Sequence, residues 1–480
     1  MKREFIINVI LLLFINFLIK PIYIFGIDAR VQNLVGTEAY GTYFAYLNFV
    51  FLFQFINDPG IQNWNAQFVP KNRDKIDFHF SNLISAKLVI GVLFLSFIYS
   101  ISLITGYQKT ELLLLVAINL ILSSIFMLCR NTVAGLGHYK VDSFLSALDK
   151  LLMVFIIGYL VWISELRNDF SVELFLYGQL ISYIIAIIIT LAILLRKVVL
   201  SFHLASLSYF KDMLIRSSPY ILTALFMTIY TKLDVIMLDK MLNDNNFQAG
   251  VYATAFRYYD AANMSTFLFA GLVLPMFAAN IFEKKILDGL YQTATRMVLV
   301  ISVVIATVLY TFSHELIDLL LNDYSNESIT VLKILSITYL VMSVSYILGA
   351  LMIAKNDLRK LNMLFAFGII INIILNTIFI STNKAIGAAY ATLITQSLML
   401  MGQYYIVFQE TKIRFDTKTI VRILTFAIVS FLLSNVVYTI FSISIFLKLC
   451  ISICLIIFLS LLLKMINRND FEKIIYKRET

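Results

Sequence analysis

The chain has 480 residues, of which 60% are apolar and only 14% are charged. Soluble domains carry about 25% charged residues, and the mean hydropathy here is +0.87, so the composition excludes an ordinary water-soluble protein. A net charge of +9 would suggest a nucleic-acid partner in a soluble protein. In a chain this apolar, the charge must first be compared with the distribution of Lys and Arg around membrane spans.

Fourteen apolar stretches are long enough to cross a bilayer, which takes about 20 residues. Their apolar residues are continuous, not alternating, which argues against an outer-membrane barrel. We expect the first stretch to be an uncleaved span, because no small-x-small cleavage site follows it. The longest polar stretch between spans is 58–80, which we interpret as a loop. The predicted spans are 5–26, 39–57, 81–104, 112–134, 144–163, 173–195, 217–238, 249–278, 291–312, 329–353, 361–381, 386–408, 420–441 and 445–464.

The positive charges predict the orientation of these spans. With the N-terminus in the cytoplasm, the inner loops and adjoining helix ends hold 26 of the 38 Lys and Arg residues, and the outer loops hold five. This asymmetry persists through all fourteen spans, so we expect both termini to be cytoplasmic. The basic balance is then topological, and we expect no nucleic-acid partner.

A short motif recurs in the two halves of the chain. Gly41 and Tyr43 open the second span, and Gly250 and Tyr252 open the eighth, 209 residues later. Six spans separate the copies, which predicts two pseudo-symmetric six-helix bundles related by an axis along the membrane normal. The expected fold is therefore an all-α polytopic membrane protein with about 14 transmembrane helices. Its predicted divisions are a bundle over 1–212, a bundle over 213–412, and an added helix pair with a tail over 413–480.

The sequence offers little catalytic chemistry. It contains no G-x-S-x-G motif and no P-loop, and its three cysteines lie in apolar runs away from any histidine pair with metal-ligand spacing. We therefore expect no enzyme activity, no catalytic residue, no metal and no cofactor.

Four segments resemble one family, the Wzx-type polysaccharide and O-antigen flippases of the multidrug/oligosaccharidyl-lipid/polysaccharide exporter superfamily. Their order and spacing carry the resemblance, which covers essentially the whole chain, although this chain has Pro59 where the family more often lacks a proline. The segments are Leu34–Tyr43 leading to Asp58-Pro59-Gly60-Ile61, Lys232–Leu238 followed by Ala249–Arg257, Asn372–Asn376, and Ala385–Thr392.

The resemblance implies a flippase of the bacterial inner membrane. Its substrate would be an undecaprenyl-diphosphate-linked oligosaccharide, a precursor of O-antigen, capsule or a similar polysaccharide, moved from the cytoplasmic to the periplasmic leaflet by alternating access. Its partners would be the lipid-linked oligosaccharide, membrane lipids, and a polysaccharide polymerase with its chain-length machinery. A lipid II flippase and a multidrug exporter of the same superfamily remain alternatives, as does a multi-span glycan polymerase or ligase from a different class.

Ionisable residues inside spans are costly, so each is a candidate for function. Arg257 lies about 12 Å into the eighth span at 1.5 Å per residue, and Asp260, three residues on, shares a similar helix face. A guanidinium suits a diphosphate because its fork donates two parallel hydrogen bonds. A structural ion pair is the alternative.

The other candidates also have structural alternatives, namely snorkelling, interfacial anchoring and helix packing. Pro21 is expected to kink the first span. We assign Arg30, Lys87 and Lys232 with Arg257 to substrate binding, and Asp28 and Asp234 with Asp260 to coupling-ion binding or charge pairing. We assign Asn372, Asn376, Gly41 and Gly250 to helix packing.

Overall fold

The computed structural model describes residues 15–465, apart from residues 17, 108, 202–205, 243, 245, 412–416 and 442. These residues form helices, and no strand occurs among them. The helices are α1 (Ile22–Asp28, π-helical), α2 (Ala29–Val35), α3 (Thr37–Leu52), α4 (Gln54–Asn57), α5 (Ile61–Phe68), α6 (Ile76–Thr105), α7 (Thr110–Gly135), α8 (Tyr139–Leu145), α9 (Leu148–Trp162), α10 (Val172–Leu194), α11 (Leu207–Met241), α12 (Phe247–Ala279), α13 (Lys284–Thr311), α14 (Ser313–Leu320), α15 (Asn326–Ala354), α16 (Leu358–Thr411), α17 (Thr417–Ile440) and α18 (Ile445–Leu462).

The prediction of an all-helical polytopic membrane protein is confirmed. In the described part of the chain, ten helices are long and apolar enough to cross a membrane. One of them, α16, contains both the eleventh and the twelfth predicted spans. The predicted spans 39–57 and 217–238 also coincide with helices, although these fall outside the ten. Half of the first predicted span, namely residues 5–14 and 17, and all of the tail beyond residue 465 lie outside the described residues.

A π-helical segment follows Pro21, where the sequence predicts a kink. Proline lacks an N–H, so it interrupts the regular ladder of helix hydrogen bonds. The backbone N–H of Ala29 donates to the carbonyl of Ile24, five residues earlier, which is the π-helical pattern. The predicted distortion of the first span thus takes the form of a widened turn leading into α2.

The two halves of α16 meet at a tight turn. Lys384 adopts φ 51°, so the backbone is not helical there, although helical residues flank it on both sides. A Cβ on Gly387 would overlap the backbone carbonyl of Phe379. Glycine at this position therefore allows the second half to fold back closely on the first.

The predicted loop over 58–80 is largely wrong. Residues 61–68 form α5, and Ile76 begins α6. Ile61 and Trp64 are buried, and they pack with Leu83 and Leu128 in one apolar cluster. The polar residues of the segment misled the prediction, because several of them face helix neighbours instead of water.

The chain divides into two compact units. One comprises Met1–Asp239 with Asp244–Gly250, and the other comprises Lys240–Asn243 with Val251–Thr480. The predicted boundaries at 212 and 412 stay a prediction. Within the second unit the added helices α17 and α18 pack against α13, where Phe426 and Ile456 join its side chains in an apolar cluster.

Two glycines bring α3 and the start of α12 into backbone contact within the first unit. A Cβ on Gly41 would overlap the carbonyl of Asn246, and one on Gly250 would overlap the carbonyl of Thr37. The Asn246 amide also donates to the Thr42 hydroxyl at 3.3 Å. The repeated motif thus supplies both glycines of a single helix crossing.

We expect Gly41→Ala to lower the thermal stability of the purified protein, because the added methyl group would overlap the backbone carbonyl of Asn246. Overpacking of this kind costs about 1–3 kcal/mol. Gly271→Ala is the matched control, since a Cβ at that helical glycine meets nothing within 4 Å. Unfolding midpoints measured in detergent decide the matter. Equal midpoints for the two variants would contradict the close approach.

Candidate functional site

Within the described part of the chain, three Lys, Arg or Asp residues are at most 6% exposed. Lys87 is 1% exposed, Asp234 is 4% exposed and Arg257 is 6% exposed. Moving a charge out of water is expensive unless hydrogen bonds or opposite charges compensate it. The surroundings of these residues therefore define where the protein holds its internal charge.

Lys87 lies against the C-terminal end of α4. Its ammonium donates to the backbone carbonyl of Asn57 and, at 3.0 Å, to the Asn57 side-chain oxygen. The Asn57 amide in turn donates to the carbonyl of Leu120 on α7 at 3.2 Å. The side chain is thus directed into the helix packing and not toward the membrane surface, so it does not snorkel. Its predicted substrate contact stays a prediction.

A chain of polar contacts continues from this point along α5. The Gln62 amide donates to the carbonyl of Ser124 at 2.9 Å, and the Asn65 amide donates to the Thr132 hydroxyl at 3.0 Å. Asn65 also contacts the His79 ring at 3.2 Å. No sequence motif marks these amides as functional, and the Asp58-Pro59-Gly60 break just before them is the signal that points to this position.

The same chain of contacts ends on α11. The Tyr209 hydroxyl lies 2.9 Å from the second ring nitrogen of His79 and donates to the His79 carbonyl at 3.2 Å. The His79 ring stacks on Phe68, with 4.0 Å between the ring centroids. Met213, one helical turn beyond Tyr209, is fully buried in the cluster around Trp64. The first turns of α11 are therefore docked on α5 and α6.

Asp58 accompanies Lys87 at the break between α4 and α5. Its carboxylate accepts a hydrogen bond from the backbone N–H of Gln62 at 3.4 Å. The Lys87 ammonium also attracts this carboxylate, because the two groups carry opposite charges. The ammonium thus helps to keep the carboxylate charged in an environment that disfavours the charge.

A second polar group surrounds Asp28, at the end of α1. The Tyr40 hydroxyl donates to the Asp28 carboxylate at 2.7 Å. The Tyr40 and Tyr43 rings pack edge to face, with centroids 5.6 Å apart. On the other side of the π-helical segment, the Gln179 amide donates to the Tyr23 hydroxyl at 3.3 Å. The first, second and sixth predicted spans therefore meet here through polar side chains.

Lys150 adds a cation to this group. Its ammonium lies 4.8 Å from the Tyr23 ring centroid and 5.8 Å from that of Tyr183, and 3.5 Å from the Asp149 carboxylate. Aromatic faces attract a cation through their quadrupole. We call the cluster of Tyr23, Asp28, Tyr40, Lys150 and Gln179 the tyrosine chamber. Lys150 is not predicted as a member from the sequence, because Tyr23 and Tyr183 belong to distant spans.

Two predicted cations lie against aromatic rings in the first unit. The Arg30 guanidinium lies 4.8 Å from the centroid of the Trp162 ring, and Trp162 is 54% exposed. This is the contact expected of an interfacial anchor. The Lys232 ammonium lies 5.3 Å from the Phe51 ring centroid, while Asp234, two residues on, is buried.

Arg257 and Asp260 lie on α12 in the second unit but in different surroundings. Arg257 and its neighbour Tyr258 are buried, whereas Asp260 is exposed. The Tyr258 hydroxyl donates to the backbone carbonyl of Leu316 on α14. α12 is thus bonded to α14 beside a buried guanidinium, and about one turn later the same helix carries an exposed carboxylate.

Asn372 and Asn376 lie on one face of α16, as their spacing predicts. The Asn376 amide donates to the Asn372 side-chain oxygen at 3.0 Å, and both residues are at most 1% exposed. Their predicted packing role fits this burial but stays a prediction.

The fold is that of a known transporter superfamily. A solved structure of the lipid II flippase MurJ, in an inward closed conformation, aligns over 96% of this chain and 99% of its own, with a TM-score of 0.72 and 15% identity. An inward-facing multidrug resistance MATE family transporter of the MOP superfamily aligns over 84% and 98%, with a TM-score of 0.66 and 14% identity. A MOP superfamily transporter from Pyrococcus furiosus gives 0.56 over 85% and 94%, at 14% identity.

The family is established by sequence. The family model described as polysaccharide biosynthesis protein matches residues 5–281, more than half of the chain. The chain therefore belongs to the polysaccharide biosynthesis protein family and has the MurJ- and MATE-like fold, which confirms the resemblance noted in its sequence. None of the curated proteins compared with it matches the chain.

Proposed function

We propose that this protein is a flippase for lipid-linked oligosaccharides. It moves an undecaprenyl-diphosphate-linked repeat unit, a precursor of O-antigen, capsule or a similar polysaccharide, from the cytoplasmic to the periplasmic leaflet of the bacterial inner membrane. The observation that carries the proposal is the family match over residues 5–281 in a chain with the fold of a lipid II flippase. The family match favours a polysaccharide precursor over a drug.

The proposed mechanism is alternating access of two helical bundles around a polar cavity. The diphosphate and sugars pass through the cavity while the lipid tail stays in the bilayer. Arg257, with its buried guanidinium, is the proposed diphosphate ligand, because it stays charged and donates two parallel hydrogen bonds. Arg30 and Lys232 are proposed as further contacts along the path.

The proposed energy source is an ion gradient or the membrane potential, since the sequence holds no nucleotide-binding motif. Asp28, in the tyrosine chamber, is the first candidate for the coupling site. Its carboxylate accepts from Tyr40 at 2.7 Å and lies at the end of the distorted helix α1. Asp234 and Asp260 are the other candidates. A polysaccharide polymerase and its chain-length machinery are the proposed partners.

We expect both termini to be cytoplasmic. Two reporters are fused after Lys464, one active only in the cytoplasm and one active only in the periplasm. The cytoplasmic reporter should give a signal and the periplasmic reporter should not, because inner loops carry the excess of Lys and Arg. A fusion after Lys384 in the turn of α16 is the matched control and should show the opposite pattern. A periplasmic signal after Lys464 would overturn the proposed orientation.

Transport and catalysis differ in what a deletion leaves behind. A flippase changes the location of its substrate and not its covalent structure, so deletion should leave intact single lipid-linked units facing the cytoplasm. Leaflet-specific labelling of the accumulated glycan lipid measures which side of the membrane the single units face. Single units in the outer leaflet would instead indicate a polymerase, and long lipid-linked polymer would indicate a ligase. Accumulated lipid II, or a normal polysaccharide with raised drug sensitivity, would support the other two superfamily functions.

We expect Arg257→Ala to reduce surface polysaccharide at least about tenfold at unchanged protein abundance, because a hydrogen bond to a charged group contributes about 1.5–3 kcal/mol. Arg257→Lys should retain part of the activity, since the charge remains and the fork is lost. Arg359→Ala, at an exposed position, is the matched control. If the Arg257→Ala protein disappears from the membrane in proportion to the lost activity, the arginine is structural.

A further inference from the structure

A break separates the second predicted span from the helix that follows it. The span runs through α3 and α4 to Asn57, the break lies at Pro59 and Gly60, and α5 begins at Ile61. Pro59 has no backbone N–H, and Gly60 adopts the left-handed conformation at φ 79°. Both features stop a helix. The break is therefore encoded by these two residues.

The break lies well inside the spanning helices that surround it. Lys87, which contacts it, is eleven residues from the start of α6, or about 16 Å at 1.5 Å per residue. Leu120, whose carbonyl accepts from Asn57, is ten residues from the start of α7. Irregular backbone at such depth persists only where protein groups satisfy it or where it lines a water-filled cavity.

Opposite charges compensate the two helix ends at the break. The Lys87 ammonium binds the last carbonyl of α4, where the helix dipole is negative. The Asp58 carboxylate binds the N–H of Gln62 in the first turn of α5, where the dipole is positive. Each charge has the sign that its helix end requires, and the two charges also attract each other.

The position of α5 is passed on to α11. Asn65 on α5 joins Thr132 to the His79 ring, and Tyr209 of α11 binds the other side of that ring. A change in the angle between α4 and α5 would therefore act on the start of α11. This connection between α5 and α11 consists of protein side chains alone.

We propose that the break is the pivot between the second span and α5, and that Lys87 is a positioning residue that holds this break through Asn57 and Asp58 without contacting the translocated substrate. The proposal rests on the proposed function only for its transport measurements. It reassigns Lys87 from the substrate-binding candidates to the conformational machinery.

The first test removes the two charges singly and together. Lys87→Met should lower transport per membrane-inserted molecule at least about tenfold, because Asp58 and the α4 carbonyl lose their partner. Lys87→Met with Asp58→Asn should recover at least half of that loss on a logarithmic scale. Lys75→Met, at an exposed position, is the control and should be unaffected. A double variant no better than Lys87→Met, or a fully active Lys87→Met, overturns the proposal.

The same comparison is made on unfolding midpoints, which need no substrate. The two substitutions should be non-additive, with the double variant more stable than the Lys87→Met protein. If that protein does not accumulate, recovery of its abundance in the double variant takes the place of the midpoint. If the losses in unfolding midpoint are additive, Lys87 does not hold the break through Asp58 and the proposal is overturned. If wild type itself fails the leaflet assay, the proposed function fails while this test still stands.

The second test locks α5 to α7. In a chain freed of Cys129, Cys450 and Cys454, Asn65→Cys and Thr132→Cys are bridged by a short thiol-reactive cross-linker that a reductant cleaves. Transport of the lipid-linked glycan in membrane vesicles should fall at least about fivefold and return on reduction, because the pivot cannot turn while α5 is fixed. Each single cysteine treated alike is the control. Undiminished transport by the cross-linked protein shows that α5 does not move and overturns the pivot.

Discussion

The need to satisfy every backbone polar group away from water governs this structure. A spanning helix meets the need by itself, and any interruption must be compensated by side chains. At the break after Asn57, Lys87 supplies a donor to the orphan carbonyl and Asp58 supplies an acceptor to the next helix. Without these groups, the uncapped helix ends would face hydrocarbon-like surroundings. The compensating charges are costly themselves, which explains why they occur as a matched set.

The same need to compensate buried polar groups accounts for the other polar cluster of the first unit. The tyrosine chamber holds Lys150 between the faces of Tyr23 and Tyr183 and gives the Asp28 carboxylate a hydroxyl donor. The Asp28 carboxylate accepts a hydrogen bond and the Lys150 ammonium lies against aromatic rings, and these partners come from different helices. The clusters thus fix how helices pack as well as where charge is held.

Much of the fold follows from the sequence alone. Long apolar runs predict spans well, because a bilayer sets the length of a helix that crosses it. The polar residues of 58–80 predict an exposed loop, because polar side chains usually face water. Asn65 and His79 are instead buried and bonded to each other. The members of the tyrosine chamber could not be grouped from the sequence, because Tyr23 and Lys150 are brought together by the packing of helices that are distant in the chain.

The turn at Lys384 has a consequence for how the protein reaches the membrane. The residues joining the two halves of α16 are too few to span a bilayer, because an extended residue covers at most about 3.6 Å and the hydrocarbon core is about 30 Å thick. Gly387 also brings the second half against the carbonyl of Phe379. During biosynthesis, the two halves must therefore enter the bilayer together as a hairpin. The hydrogen bond from Asn376 to Asn372 lies within the first half, so it forms as that helix forms and lowers the cost of placing the two amides in the bilayer.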